Sequence, residues 1–165
     1  MCLITSYQNC LFLRNSMRLV VQRVKEASCT VEGNVTGKIN DGFMVLVGFG
    51  NDDDKAIVEK MANKLAKLRV FEDSNGKMNL GLKDINGDIL SISQFTLYAD
   101  CSKGNRPSFN LALKGEEATK LYDYFNEVLR QLGFRVETGI FGADMKIKLL
   151  NDGPVTIIMD SRELV

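Results

Sequence analysis

Ser93, Gln94 and Thr96 place two hydroxyls and an amide near the end of the apolar run Ile89 to Tyr98 (ILSISQFTLY). Side chains alternate along a regular strand, so Ser93 and Thr96, three apart, point to opposite faces. They reach one ligand only if the strand ends or bends there. Otherwise they are ordinary hydroxyls facing solvent. A threonine nucleophile also needs an activating base, and the chain contains no histidine. That absence removes Ser-His-Asp triads, Cys-His dyads, His-ligated zinc and His general bases. Chemistry is left to hydroxyls, thiols, lysines, carboxylates, the backbone or the substrate itself.

A second candidate is Asn151-Asp152-Gly153-Pro154-Val155-Thr156, which holds one of only two prolines. Its simple reading is a turn between two apolar strands. Its sharper reading is a rigid element that aims carbonyls at a ligand, because glycine removes a Cβ and proline fixes φ. A third is the basic loop Lys103-Gly104-Asn105-Arg106-Pro107, with Arg23 and Arg69 elsewhere, whose cations suit phosphates or solvent equally. Asp52 to Asp54 resemble metal ligands, but a helix start explains them as dipole partners. No EF-hand spacing, P-loop or G-x-G-x-x-G occurs.

These groups must be positioned by one domain, since the chain has 165 residues. Its 21 basic and 21 acidic residues give zero net charge, so nucleic-acid contact must come from a local patch. The cysteines at 2, 10, 29 and 101 form no C-x-x-C pair, and their scatter suggests reduced thiols in the cytoplasm. No apolar run reaches the roughly 18 residues of a membrane span. Residues 1–16 carry no basic residue before Arg14 and read as an extension outside the fold, with the domain over 17–165.

The pattern predicts strands over Arg18 to Lys25, Ala27 to Glu32 and Val35 to Ile39, the last two joined by a Gly33-Asn34 hairpin turn. Gly42 to Gly50 reads as a central strand buried on both faces. Asn51 to Asp54 opens a helix with Ile57, Met61, Leu65 and Leu68 on its apolar stripe. Val70-Phe71 begins another strand, and Ile89 to Tyr98 is the second strong one. Gly115 to Leu132 forms the second helix, with Gly133 as its C-cap. Strands over Phe134 to Ile140, Lys146 to Leu150 and Val155 to Asp160 follow. The fold class is mixed α/β (α+β), a single domain with a largely antiparallel sheet or barrel-like β core and two main helices.

Taken together the segments are more specific than any one of them. Met17 to Val24 (MRLVVQRV), Val31-Glu32-Gly33, Ser93 to Leu97 (SQFTL), Arg106 to Phe109 (RPSF), Leu121 to Phe125 (LYDYF) and Asn151 to Thr156 (NDGPVT) occur in that order. This set resembles the D-aminoacyl-tRNA deacylase (D-tyrosyl-tRNA(Tyr) deacylase) family over about residues 17 to 160. The chain departs from the family by the extension before Met17.

The resemblance implies that family's fold and a homodimer with its active sites at the subunit interface. It implies hydrolysis of the ester joining a D-amino acid, or misloaded glycine, to the 3′-terminal adenosine of tRNA. It implies a cis Gly153-Pro154 peptide that reaches across the dimer and blocks an L side chain. Ser93, Gln94, Phe95 and Thr96 become the catalytic strand, with the Phe95 N–H and Thr96 as candidates to hold the ester carbonyl or its oxyanion. Phe141 and Met145, with Ala118 beside them, match the adenine pocket, and Asn151, Thr156 and Arg23 support the second motif. No metal, cofactor, membrane or DNA partner is expected. The rivals are a non-catalytic nucleic-acid-binding module on the same fold and a sister deacylase acting on L-aminoacyl-tRNA.

Overall fold

The computed structural model describes residues 16–163. Strand β1 (Arg18–Val31) is the spine. Its first half pairs antiparallel with β3 (Gly42–Gly48), its second half with β2 (Asn34–Ile39), and its other edge with β8 (Lys146–Asp160) along nearly its whole length. Strands β6 (Asp88–Ser93) and β7 (Val136–Thr138) extend the sheet beyond β3 in parallel. The sheet is therefore mixed, with the order β2-β1-β3-β6-β7 and β8 on the far side of β1.

The sheet curls until β2 meets β7, giving a nearly closed barrel. Gly37 permits that approach, because a Cβ there would stand 2.9 Å from the Thr138 carbonyl oxygen. Strand alternation then sorts side chains into two cores. Val24, Cys29, Ile39, Met44, Leu90 and Ile92 fill the inside of the curl. Leu19, Val21, Phe43, Val45 and Val47 face the other way, onto two helices. Helix α1 (Lys55–Ala66) buries Val58, Met61, Ala62 and Leu65 there, and α2 (Gly115–Gln131) buries Tyr122, Phe125, Val128 and Leu129. A second small sheet pairs β4 (Arg69–Glu72) with β5 (Met78–Gly81).

Several sequence expectations change. Arg18 to Lys25 and Ala27 to Glu32 are one strand. The hairpin turn is Glu32-Gly33, both at positive φ (49° and 80°), so Asn34 already pairs with Val31. Helix α1 starts after Asp54, whose carboxylate caps the Ile57 N–H at 2.9 Å, and ends before Leu68. Strand β5 has no counterpart in the sequence reading. The strand expected over Ile89 to Tyr98 stops at Ser93: the Gln94 N–H donates to the Val47 carbonyl at 2.7 Å, and Phe95–Tyr98 then coils into a 3₁₀ turn. The NDGPVT segment is not a reversal between two strands. It is a bulge within β8, since Asn151 pairs with Val24 and Thr156 with Gln22.

Residues 1–15 of the expected extension lie outside the described residues. Ser16, counted with them, is buried, and its carbonyl accepts from the Tyr98 hydroxyl. Among the described residues no helix is long and apolar enough to cross a membrane, Cys29 and Cys101 are unpaired, and no cluster of His, Cys, Asp and Glu suits a metal ion.

Candidate active site

The end of β6 supplies the bend that puts Ser93, Gln94 and Phe95 on one side. They border a cavity of about 280 Å³ whose other walls are Val47 and Gly48 from β3 with Phe49 just beyond it, Leu113, Ala118 from α2, and Phe141 to Met145 with Ile147. The structure thus brings Ser93, Gln94, Phe95, Ala118, Phe141 and Met145 to one place. Phe141 is tilted against the Tyr122 ring at 5.9 Å, and the Tyr122 hydroxyl donates to the Ser91 carbonyl at 2.7 Å. An aromatic face beside a thioether suits a nucleobase. Phe95 is 50% exposed and packs edge-on against Phe109 at 5.2 Å.

Thr96 is exposed and does not line the cavity; its hydroxyl accepts from the Gln94 side-chain amide. Phe95 and Thr96 open the 3₁₀ turn, and the first N–H bonded back to Gln94 O is that of Leu97, at 3.4 Å. Their own N–H groups therefore have no acceptor within the turn.

Sequence reasoning missed what holds this turn. Arg18 donates to the Leu97 carbonyl at 2.8 Å, lies over the Tyr98 ring at 4.8 Å, and pairs with Asp160 at 3.4 Å. The Tyr98 hydroxyl, which donates to the Ser16 carbonyl, shares its one proton with the Gly48 carbonyl at 3.2 Å. Gly48 must be small, because a Cβ there would sit 2.9 Å from the Tyr98 ring and 3.0 Å from Gln94 O. Neither Arg18 nor Gly48 announces this part by residue type.

Two carboxylates behind the turn have opposite electrostatics. Burial works against ionisation of Asp160, yet hydrogen bonds from the Arg162 side chain and backbone hold it down at about 2. Burial pushes Asp53 up to about 6 despite hydrogen bonds from backbone N–H groups, one from Gly50 at 2.6 Å, and its second oxygen has no hydrogen-bond partner among the described residues. A raised folded-state pKa favours folding below the unfolded value of 3.8, and that advantage is lost as pH rises through 6. Asp53→Asn should therefore raise the denaturation midpoint at pH 8 relative to wild type, and the gain should vanish near pH 4. An equal shift at both pH values contradicts this.

The second motif stands apart from the cavity. Gly153 and Pro154 are exposed on β8, and their peptide is cis. Arg23, 6% exposed, anchors the bulge: Nε donates to the Asp152 carbonyl at 3.0 Å, and Nη1 to the Val70 carbonyl at 2.6 Å. Asn151 Oδ1 accepts from the Val155 N–H at 3.0 Å, while Asn151 and Gln22 both donate to the Thr156 hydroxyl. The four residues 152 to 155 are thus closed at their base and project outward. Within one chain, no member of this motif lines the cavity.

Gly139 gives a direct handle on the cavity wall. A Cβ there would lie 2.3 Å from Met145 Sδ and 3.2 Å from Cys29 Sγ. The thioether is the flexible partner, so Gly139→Ala should push it into the cavity. Overpacking of this kind costs about 1–3 kcal/mol. The expected result is a denaturation midpoint lowered to match that cost, with Met145 displaced in the variant's structure. An unchanged midpoint with Met145 in place would contradict this.

Known proteins share this architecture. The family model described as D-Tyr-tRNA(Tyr) deacylase matches residues 20–160. A D-aminoacyl-tRNA deacylase of Bacillus pumilus (strain SAFR-032) is 57% identical over 147 residues, spanning 89% of this chain and 100% of the relative. One of Thermosipho africanus (strain TCF52B) is 51% identical over 148 residues, spanning 90% and 99%. Among solved structures, "c-Myc DNA Unwinding Element Binding Protein" superposes with a TM-score of 0.80 at 42% identity, covering 86% of this chain and 97% of that one. A probable eukaryotic D-amino acid tRNA deacylase, 19% identical with a TM-score of 0.76 over 88% and 99%, shares the fold. The family match spans both the cavity and the β8 bulge, and the chain belongs to the D-Tyr-tRNA(Tyr) deacylase family.

Proposed function

We propose that residues 17–165 form an enzyme that hydrolyses the ester between a D-amino acid, or misloaded glycine, and the 3′-terminal adenosine of tRNA in the cytoplasm. The observation that carries the reading is the cavity where β6 ends. It sets an aromatic and a thioether, Phe141 and Met145, opposite the Phe95 turn. The adenine occupies the Phe141 and Met145 side, with Ala118 behind it. The ester carbonyl lies at the turn, where the Phe95 N–H takes the developing oxyanion. One such donor is worth about 10²–10³ in rate. A water oxygen bonds to the carbonyl carbon while the bond to O3′ breaks. The 2′-hydroxyl of the substrate relays the proton to O3′, leaving a free amino acid and tRNA.

The filter against L-amino acids is the Gly153-Pro154 bulge of a second copy. Leu150 and Ile158, 56% and 71% exposed, flank the bulge on β8. Exposed apolar groups of this kind suit an interface between copies. Seated on a partner, the bulge carbonyls occupy the space of an L side chain and leave that of a D side chain or glycine open, which is discrimination by clash. The test is deacylation of matched D- and L-Tyr-tRNA. Rapid loss of the D ester alone is expected. No hydrolysis of either ester by the folded chain overturns the reading.

A second reading is a nucleic-acid-binding module without catalysis. Its support is the printed name of the solved relative at 42% identity, a DNA-unwinding-element binding protein. Salt-sensitive binding of duplex DNA without D-ester hydrolysis would favour it.

A further inference from the structure

Hydrolysis at the cavity leaves one surface unused. Residues 100–118 run from the Phe95 side of the cavity round to its opposite wall. Near one end Phe109 packs on Phe95, and the Asp100–Ser108 bridge closes a loop. At the other, Leu113 and Ala118 line the cavity itself. Between them Lys103, Arg106 and Lys114 are all exposed and form no ion pair among the described residues.

The neighbouring surfaces are different. Lys146, across the cavity, is neutralised by Asp144 at 2.7 Å. The open groove behind Phe141 mixes Lys55, Lys120 and Arg130 with Asp123 and Glu127. Acidic groups beside the loop are engaged. Asp100 accepts from the Ser102 N–H at 2.9 Å and feels the Lys103 charge only as a minor influence, without an ion pair, and Glu116 pairs with Lys120 at 2.7 Å, leaving Glu117 in the first turn of α2. In a chain of zero net charge, unpaired cations on the rim of a nucleotide-sized cavity mark where a polyanion enters.

We propose that Lys103, Arg106 and Lys114 hold the phosphodiester backbone of the single RNA strand that leads into the cavity, immediately 5′ of its terminal nucleoside. This rests on the deacylase reading above and says which side of the cavity the strand crosses. The three contacts position the strand and carry no sequence information.

The test compares the full chain with its Lys103→Ala/Arg106→Ala/Lys114→Ala variant. A control variant, Lys64→Ala/Lys67→Ala/Lys77→Ala, alters exposed lysines outside this loop. Each variant is assayed on D-Tyr-tRNA over a range of salt, and on D-tyrosyl-adenosine, which has no phosphate. Each phosphate contact on a single strand adds about 0.7 to the slope of log affinity against log salt. The loop variant should show a slope of log kcat/KM shallower by about 2, and a ratio of tRNA to adenosine-ester activity at least 10-fold lower. A loop variant that matches the control in slope and ratio overturns the proposal. If the wild type hydrolyses neither ester, the deacylase reading fails instead. The loop is then judged by the salt slope of equilibrium binding to uncharged tRNA, where an unaltered slope overturns it and the same flattening supports it.

Discussion

D-Tyr-tRNA ending in 2′-deoxyadenosine should resist the enzyme, losing at least about 10³-fold in kcat, or roughly 4 kcal/mol. Thr96→Ala should stay within about 10-fold of wild type on the normal substrate. The argument starts from what the cavity lacks. Among the described residues that line it, the only titratable side chain is Asp144, which is exposed and paired with Lys146. Thr96 is the obvious nucleophile by type, but its hydroxyl accepts from Gln94 and does not line the cavity. A hydroxyl with no base to take its proton is a poor nucleophile at neutral pH. The substrate does carry a hydroxyl one carbon from the ester oxygen, where it can pass a proton between water and O3′. What the protein contributes is placement and amide donors, both supplied by backbone. The measurement is single-turnover release of D-Tyr from the two substrates by both proteins. Full activity on the deoxy substrate, with an inactive Thr96→Ala variant, would reverse the assignment and make Thr96 the nucleophile.

The sequence was legible where side-chain pattern dictates backbone, and less so where tertiary bonds decide. The continuous apolar run from Gly42 to Gly50 led to the buried strand β3, which ends at Gly48, and the stripe of the first helix led to Met61 and Leu65 but not to Val58, which is buried where its neighbour Ile57 is only half-buried. Alternation could not show where β6 ends, because Phe95, Leu97 and Tyr98 are as apolar as the strand before them. That stop comes from one backbone bond to Val47 and from Arg18 gripping Leu97, partners 47 and 79 positions away. The same limit hid the NDGPVT bulge. Gly-Pro is ordinary turn chemistry, and only pairing of both flanks with β1 makes it a protrusion from one strand. Strand β5 was missed because Met78 and Asn79 are exposed and no alternation marks them. For the site, residue types alone left Ser93 and Thr96 undecided. Phe141, Met145 and Ala118 came from the family resemblance, and the structure gathers them with Phe95 only through the packing of α2 beside β6. Arg18 and Gly48 carry no chemical signal by type, and their part is visible only in three dimensions.

Gly153→Ala should cost the enzyme its choice of hand more than its activity. Gly153 has φ +126°, a conformation L side chains rarely adopt. A Cβ there would meet Arg23 Nη2 and Val155 Cγ2, both at 2.9 Å. Neither neighbour can yield easily. Arg23 is buried and committed to the Asp152 and Val70 carbonyls, and Val155 is held by Asn151. The bulge itself must move, and on the proposed arrangement its carbonyls then withdraw from the space where an L side chain would sit. The D side chain never used that space, so its turnover changes little. The ratio of kcat/KM for D- over L-Tyr-tRNA should fall by about 10²-fold, roughly 2.7 kcal/mol, chiefly because the L ester becomes a substrate. Melting and sedimentation of the same sample separate this from simple unfolding or loss of assembly. A variant that stays folded and assembled yet keeps full discrimination would remove the bulge from the filter. One that loses D-ester activity in parallel would make it part of the catalytic frame instead.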